Sequence, residues 1–279
     1  MSSAAEAKPE RPAGDAGQSP PVVEVVGLTK AYDDLQHGPV LAIDGLSFTA
    51  RPGEVVGLLG PNGAGKTTAL RILSTLLTPT AGSARVNGFD CVAQPELVRR
   101  QIGLVSMNTA VYDRMTASEF VLYFGRLHGI QEERLRGRVD QLFDRLGMRA
   151  MADTLGAKMS TGMKQKTSIA RALVHDPPVL IFDEATNGLD VLAARAVLDT
   201  VASLREAGKC LIFSTHIMRE AERLCDRLVV MHRGRVLTQG PLDDLRQTHG
   251  QADLEELFYQ LIRGAEQARH QHSPGPAAT

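Results

Sequence analysis

The hydrophobic pattern in the first third of the chain predicts several short strands, followed by a strand, a tight loop and a helix. Residues 22–28 alternate between apolar and polar side chains, and two further apolar runs, 40–43 and 46–49, are separated by glycine and proline. This spacing is typical of antiparallel strands joined by turns. A continuous apolar run covers 54–59, and a helical pattern starts at Leu70. We therefore expect an antiparallel β layer beside a buried strand that leads into a helix.

The middle of the chain has a different pattern, in which apolar residues recur mainly at helical spacing. Residues 82–88 predict a strand ending in an Asn-Gly turn, and residues 94–106 predict a short helix followed by a strand. Thr116 and Glu119 have the spacing of a capping box at a helix start. Charged amphipathic stretches then continue to residue 146 with no strand pattern among them. This predicts a helical subdomain inserted into an α/β domain.

The last third of the chain returns to alternating strands and helices. A strand is predicted for 179–182, a helix for 191–207 and a strand for 210–214, with a short helix and two strands after them. Asp253 has the position of an N-cap for a closing helix. The apolar residues of that helix share one face: Leu254, Leu257, Phe258, Leu261 and Ile262. We expect this face to pack on the domain.

The two ends of the chain differ from its body in composition. Residues 1–21 are rich in proline and alanine and lack an apolar signal-peptide region, so we expect a disordered N-terminal tail. We assign 22–247 to the main domain, 248–268 to a C-terminal helix and 269–279 to a second disordered tail. The histidines of this last tail are interpreted as solvated residues rather than as metal ligands.

Composition and charge exclude several classes of protein. The net charge is −1, from 31 basic and 32 acidic residues, so no positive field favours binding to nucleic acid. The longest charge-free run, 72–84, is interrupted by proline and glycine and is shorter than the roughly 18 residues that span a bilayer. Cys91, Cys210 and Cys225 lack metal-ligand spacing, which predicts buried thiols in a reducing cytosol.

One loop carries the strongest chemical signal of the sequence. Residues 60–68 match G-x-x-x-x-G-K-[ST], the Walker A phosphate-binding loop, at every fixed position. The residues predicted to bind the nucleotide here are Gly60, Pro61, Asn62, Gly63, Ala64, Gly65, Lys66, Thr67 and Thr68. Backbone N–H groups and the helix N-terminus would converge on phosphate oxygens. Lys66 adds a positive charge and Thr67 an oxygen ligand for Mg2+.

A second motif supplies two adjacent carboxylates. The apolar run 179–182 ends in Asp183 and Glu184, which is the form of a Walker B strand buried in a parallel sheet. We expect the carboxyl end of this strand to lie beside the phosphate-binding loop. Asp183 would hold Mg2+ through its water shell, and Glu184 would accept a proton from the attacking water as general base.

Further candidate residues carry weaker signals on their own. Ser160 and Gly162 begin a helix, where they could hold phosphate oxygens or form a plain N-cap. His216, just past a strand end, could contact the γ-phosphate, although alone it carries little weight. Tyr32 could be an edge-strand aromatic residue or a platform for a nucleotide base.

The combined order of these motifs resembles the nucleotide-binding subunits of ABC transporters. The runs GPNGAGKTT, MSTGMKQK, VLIFDEATNGLD and STH carry the resemblance, which covers about 22–247. The second run is similar to the ABC signature, which P-loop kinases and GTPases lack, and residues 187–190 are similar to the D-loop. The resemblance implies an α/β P-loop NTPase fold with a RecA-like core, an antiparallel β subdomain and an α-helical subdomain at 114–158. It also implies that Tyr32 stacks on adenine and that Asp190 lies near the nucleotide.

The resemblance further implies an ATPase at the cytoplasmic face of the cell membrane. The family forms head-to-tail dimers with ATP between the phosphate loop of one subunit and the signature of the other, and drives a separate integral membrane permease. Residues 108–116, 160–166 and 175–178 are most similar to sodium-extruding (Nat-type) exporter ATPases and next to drug-exporter ATPases. We therefore expect export of an ion such as sodium, or of a drug or lipid-like solute. The alternative is a soluble ABC-type ATPase acting on the ribosome or on DNA.

Three departures from the family pattern bear on mechanism. Thr161 and Met163 replace the usual glycine and glutamine of the signature, and Ala185 replaces the proline after the catalytic glutamate. Met107 stands where the Q-loop glutamine is expected, and its thioether cannot replace an oxygen ligand of Mg2+ or its waters. We hypothesise that Asn108 partly substitutes, with simple loss of this link as the alternative.

Overall fold

The computed structural model describes residues 19–34, 38–106 and 110–272, which form ten strands and nine α-helices. The strands are β1 (Val23–Asp34), β2 (Gly38–Ala50), β3 (Val55–Leu59), β4 (Ala81–Val86), β5 (Phe89–Asp90), β6 (Ile102–Ser106), β7 (Val179–Asp183), β8 (Cys210–Thr215), β9 (Arg227–His232) and β10 (Arg235–Pro241). The helices are α1 (Lys66–Leu73), α2 (Pro95–Gln101), α3 (Ala117–Leu127), α4 (Glu132–Arg145), α5 (Thr161–Leu173), α6 (Val191–Glu206), α7 (Met218–Leu224), α8 (Leu242–His249) and α9 (Leu254–His272).

The first sheet is the predicted antiparallel layer, with strand order β2-β1-β4-β5. Its strands are longer than the sequence pattern indicated, because β1 continues to Asp34 and β2 joins the two apolar runs that we expected to be separate strands. The junction is a bulge, in which Asp44 and Gly45 lie opposite Thr29 alone. Gly45 has φ 71 and donates its N–H to the Thr29 hydroxyl at 3.2 Å, so the glycine bends the strand without ending it.

The second sheet has the order β10-β9-β3-β8-β7-β6, in which all strands but β10 run parallel. Every residue of β3 and β8 is buried, as expected for parallel strands covered on both faces. Alternate residues of β8 face opposite sides: Ile212 packs with the antiparallel sheet and α1, whereas Leu211 and Phe213 pack with the helices of the other face. The sheet therefore separates two hydrophobic cores.

The predicted helical subdomain lies between β6 and α5 and contains α3, α4 and two short 3-10 turns. Its capping box is confirmed, because the Thr116 hydroxyl accepts the Glu119 N–H at 3.2 Å and the Glu119 carboxylate accepts the Thr116 N–H at 2.8 Å. Phe120 and Leu135 are fully buried between the two helices and the rest of the subdomain. This amphipathic burial holds the helices together.

The C-terminal region corrects two of the predicted boundaries. The boundary at residue 247 falls inside α8, and the segment 248–268 is the end of one helix and most of another. Residues 269–272, which we assigned to a disordered tail, belong to α9, because the polar residues before them are good helix formers. The start of α9 agrees with the sequence: Asp253 accepts the Glu255 N–H at 2.7 Å, and Leu254 and Leu257 are buried. Residues 1–18 and 273–279 lie outside the described part.

The three cysteines are buried and free, as predicted. Burial raises the pKa of the Cys91 and Cys210 thiols to about 12 and also raises that of Cys225, so all three stay protonated at neutral pH. Across the described ranges, no helix is long and apolar enough to cross a membrane.

Candidate active site

The candidate site lies where three neighbouring strands of the parallel sheet end. The phosphate-binding loop follows β3, Asp183 is the last residue of β7, and His216 follows β8. The registers align these ends, because Leu59 pairs with Thr215 and Asp183 pairs with Ser214. Parallel strands present their carboxyl ends at one edge of a sheet, which is why residues distant in sequence meet here. An open cleft of about 300 Å³ results, lined by Ala42, residues 62–68 and Glu184.

The loop before α1 is packed tightly against other backbone segments. A Cβ atom at Gly60 would overlap the Met231 carbonyl, and one at Gly65 would overlap the Ala42 carbonyl. Gly65 also has φ 103, a conformation that L side chains rarely adopt. Gly234 donates its N–H to the Ala64 carbonyl at 3.0 Å, which ties the loop to the β9–β10 hairpin. The glycines are thus required by close backbone approach as well as by phosphate binding.

Lys66 places a buried positive charge in the cleft. Its side chain is only 3% exposed, and its ammonium donates to the Gly60 carbonyl at 2.6 Å and to the Pro61 carbonyl at 3.1 Å. The same nitrogen lies 3.2 Å from Oε1 of Glu184. A buried charge needs partners of this kind. The arrangement brings the predicted phosphate-binding cation and the predicted general base into direct contact.

The two predicted metal-binding residues also meet. The Thr67 hydroxyl donates to Oδ1 of Asp183 at 3.1 Å, and the Ser214 hydroxyl donates to the same oxygen at 2.8 Å. Hydroxyl and carboxylate oxygens are the ligands that Mg2+ prefers. Elsewhere in the described residues, no group of three or more histidine, cysteine, aspartate or glutamate side chains could hold a metal ion. The donor set at Thr67 and Asp183 fits Mg2+ bound together with phosphate oxygens.

Glu184 follows the strand end in an unusual backbone conformation. Its φ is 48, and its N–H is bonded to the Ser214 hydroxyl at 3.0 Å. Nδ1 of His216 lies 3.7 Å from Oε1 of Glu184. The turn that carries His216 is fixed by Thr215, whose hydroxyl donates to Glu220 at 2.6 Å and accepts the Ile217 N–H at 3.0 Å. The predicted base and the predicted γ-phosphate contact are therefore neighbours.

Other predicted nucleotide contacts lie away from this cleft. Ser160 caps α5 by accepting the Met163 N–H at 3.3 Å, and Asp190 caps α6 by accepting the Ala193 N–H at 2.9 Å. Gly162 lies close to Ala193, so the starts of the two helices are adjacent. Tyr32 is 41% exposed on β1, with the Lys30 ammonium 5.2 Å from its ring centroid. Their roles toward a nucleotide stay predictions, and Met107 and Asn108 lie outside the described residues.

The structure gives roles to residues to which the sequence analysis assigned none. Ser214 is fully buried between Asp183 and Glu184, and its sequence signal was its place in the STH run, two residues before His216. Gln165 is buried and donates its side-chain amide to the Ala185 carbonyl at 2.8 Å, which ties α5 to the residue after Glu184. Ala42 lines the cleft from β2, and nothing in the sequence around it indicated this.

The family model described as "ABC transporter" matches residues 43–187 of this chain. The chain belongs to this family. It is 43% identical over 227 residues to the ABC transporter ATP-binding protein NatA of Bacillus subtilis (strain 168), which covers 81% of this chain and 92% of NatA. It is 37% identical over 249 residues to the Nod factor export ATP-binding protein I of Ralstonia nicotianae, covering 89% of this chain and 76% of that protein. The daunorubicin/doxorubicin resistance ATP-binding protein DrrA of Streptomyces peucetius is 36% identical, with 88% of this chain and 73% of DrrA covered.

Solved structures of ABC subunits share the fold. An ATP-binding subunit of an ABC transporter matches with a TM-score of 0.78 and 33% identity, covering 86% of this chain and 99% of that one. A bacterial ABC transporter cassette solved as a dimer matches with a TM-score of 0.71 and 25% identity, covering 79% and 98%. These matches confirm the predicted P-loop NTPase fold with its β and helical subdomains.

As an ABC ATPase subunit, the chain binds and hydrolyses ATP, which confirms the predicted nucleotide and enzyme class. The identities decrease from NatA to DrrA, the order of likeness that the sequence predicted.

Proposed function

We propose that this chain is the ATPase subunit of an exporter and works at the cytoplasmic face of the cell membrane. In this proposal it drives a separate integral membrane permease, and the transported solute is an ion such as sodium, or a drug or lipid-like molecule. Relatives named for Nod factor export and for drug resistance support the direction of transport. The relative NatA, an ABC transporter ATP-binding protein of which 92% is matched, supports the role as a transporter subunit.

The observation that carries the proposal is the convergence of five side chains at one sheet edge: Lys66, Thr67, Asp183, Glu184 and His216. Mg2+, when bound, neutralises charge on the phosphate oxygens. Thr67 and Asp183 supply the oxygen ligands for it, and Lys66 supplies the fixed positive charge. Glu184 accepts a proton from water as general base, and His216 orients the groups beside it.

The predicted nucleotide-binding residues that do not line the cleft need a separate account. Ser160 and Asp190 are exposed, and they begin adjacent helices together with Gly162. We propose that these three residues bind the nucleotide of a second copy in a head-to-tail homodimer. The Ser160 hydroxyl accepts the Met163 N–H and can donate its own proton to a phosphate oxygen at this helix N-terminus, and a solved relative is a dimer. Tyr32, which is exposed on β1 of the antiparallel sheet, is proposed as the residue that stacks on adenine.

The alternative of a soluble ATPase acting on the ribosome or DNA has no support among these relatives, which are named as transporter, export or resistance ATP-binding proteins. The balanced charge of the chain gives nucleic acid no electrostatic attraction either.

The test is transport by the reconstituted complex. The chain is co-expressed with a candidate permease, co-purified from membranes and placed in proteoliposomes with the ATPase outside. We expect ATP-driven uptake of sodium or of a fluorescent hydrophobic cation into the vesicles, which corresponds to export from the cell. Loss of uptake in Glu184→Gln is the matched control. ATP-driven efflux from the vesicles, or an ATPase that never associates with a membrane protein, would contradict the proposal.

A further inference from the structure

Ser214 lies between Asp183 and Glu184, the two carboxylate residues of the site, and is itself uncharged. It is fully buried at the end of β8. Its hydroxyl lies 2.8 Å from Oδ1 of Asp183 and 3.0 Å from the backbone nitrogen of Glu184. One small side chain therefore contacts both the proposed metal ligand and the proposed general base.

The direction of these two hydrogen bonds is fixed by chemistry. An ionised carboxylate only accepts, so the single hydroxyl proton of Ser214 points at Asp183. The oxygen of the same hydroxyl then accepts the N–H of Glu184. The result is a directed chain from Glu184 N–H through the Ser214 hydroxyl to Asp183 Oδ1, in which each bond polarises the next.

This chain of hydrogen bonds starts at a strained point of the backbone, Glu184. A φ of 48 places a non-glycine residue in the left-handed region, a strained conformation that persists only when neighbours hold it. The Glu184 N–H is shared between the hydroxyl of Ser214 and its carbonyl, the latter at 3.2 Å. From this conformation the Glu184 carboxylate lies 3.2 Å from Lys66 and 3.7 Å from His216.

We propose that Ser214 is a positioning residue for ATP hydrolysis. Its hydroxyl holds Glu184 in the left-handed conformation that places the carboxylate in the cleft, and it fixes the orientation of Asp183. The proposal rests on the proposed roles of Asp183 and Glu184. It separates two functions of the cleft: the loop at 60–68 binds ATP, and Ser214 sets the geometry for hydrolysis.

The first measurement is steady-state hydrolysis by Ser214→Ala. Losing both hydrogen bonds lowers kcat by about tenfold to a hundredfold, because Glu184 loses one of the two acceptors that hold its N–H and Asp183 loses one of its two hydroxyl donors. KM for ATP stays within about twofold, because the phosphate-binding loop is unchanged. The matched control is Ser168→Ala, since Ser168 is also buried but its hydroxyl has no hydrogen-bond partner among the residues that the structure describes. The control keeps native kcat and KM.

The second measurement does not depend on turnover. Binding of a fluorescent ATP analogue is titrated with Mg2+ in the Glu184→Gln background, with and without Ser214→Ala. We expect Ser214→Ala to raise the Mg2+ concentration for half-maximal binding by several fold, because Asp183 loses a donor that fixes its orientation. Ser168→Ala in the same background leaves the titration unchanged.

Several results would overturn the proposal. Native kcat and a native Mg2+ titration in Ser214→Ala would do so, and so would an equal loss in Ser168→Ala. If Ser214→Ala does not fold, Ser214→Cys preserves volume with a weak hydrogen-bonding group. Native turnover by that variant would equally refute the role. Native hydrolysis by Glu184→Gln would instead refute the proposed base itself, so the two failures are distinguishable.

Discussion

The nucleotide cleft and the joint between the helical subdomain and the core bury charge-bearing groups in opposite ways. In the cleft, the Lys66 ammonium is paired with Glu184 and with backbone carbonyls. In the joint, formed by Phe124, His128, Arg171 and His175, the His128 and His175 rings stack with centroids 3.6 Å apart. Arg171 lies over the Phe124 ring and donates to the Leu104 carbonyl. The joint is held by ring contacts and by side-chain hydrogen bonds to the Leu104 and Ile102 carbonyls, whereas the cleft is held by an ion pair and hydrogen bonds.

The difference follows from protonation. Burial is the main cause that lowers the pKa of His175 to about 4 and also lowers that of His128, with further contributions from nearby Arg171, Arg100 and Arg138. Both rings are therefore neutral at physiological pH, which allows them to stack. The cleft keeps the Lys66 charge beside a carboxylate, whereas in the joint the two histidines are neutral and the Arg171 cation contacts a ring and a carbonyl oxygen instead. Changes in the cleft should therefore affect turnover, and changes in the joint should affect stability.

The largest expected effect is the loss of hydrolysis in Glu184→Gln. The amide keeps the shape of the side chain but cannot accept a proton from water, so kcat falls by at least about a hundredfold. ATP binding and the ATP-dependent dimer persist, because the phosphate-binding loop is unchanged. Phosphate release and size-exclusion chromatography with ATP check both halves. Turnover near the native rate would show that the base lies elsewhere.

Gly65→Ala should strongly weaken nucleotide binding. The new Cβ overlaps the Ala42 carbonyl, and a φ of 103 is strained for alanine, so the loop must shift. We expect ATP affinity to fall at least about tenfold, in line with the 1–3 kcal/mol cost of such backbone strain. Gly137→Ala is the control, since Gly137 lies in α4 with open space around it. That variant should bind ATP normally, and equal losses in both would contradict the loop argument.

The joint predicts a pH-dependent stability. The pKa of His175 is about 4 in the folded chain and about 6.5 when unfolded, so the unfolded state binds more protons between these values. Stability is therefore complete above about pH 7 and falls as the pH decreases, by about 2 kcal/mol at pH 5 and about 3 kcal/mol at pH 4. His175→Phe keeps a stacking ring without a titrating nitrogen and should flatten this slope. Urea denaturation at pH 5 and 7.5 measures it, and identical slopes would exclude His175 as the cause.

The smallest effect is expected for Tyr32 on β1 of the antiparallel sheet. Tyr32→Ala should weaken ATP binding about tenfold, since stacking of a base on an aromatic ring contributes about 1–3 kcal/mol. Tyr32→Phe should bind ATP normally because the ring face is retained. Isothermal titration in the Glu184→Gln background provides the affinities. Unchanged affinity in Tyr32→Ala would make Tyr32 a structural residue of β1.

The sequence predicted the cleft better than the joint, and the reason is geometric. Walker loop and Walker B carboxylates follow parallel strands, so sheet topology alone brings them together. The function of Ser214 depends on its register opposite Asp183, which no local pattern reveals. The contact between His128 and His175 depends on how α3 packs beside the end of α5. The predicted end of the C-terminal helix at residue 268 was wrong, because we interpreted the polar composition after it as disorder although the polar residues of α9 are good helix formers.

The close approach of the β9–β10 hairpin to the phosphate-binding loop limits how much of the chain can be removed without disturbing the site. Met231 blocks any side chain at Gly60, and Gly234 holds the Ala64 carbonyl, so the hairpin forms one wall around the loop. The family match at 43–187 contains the loop but not that wall. A fragment that ended just after His216 would keep every motif residue but lose the hairpin that packs against the phosphate-binding loop. The nine residues of the motif are therefore not sufficient to form the site, and grafting the site onto another protein would require the β9–β10 hairpin as well.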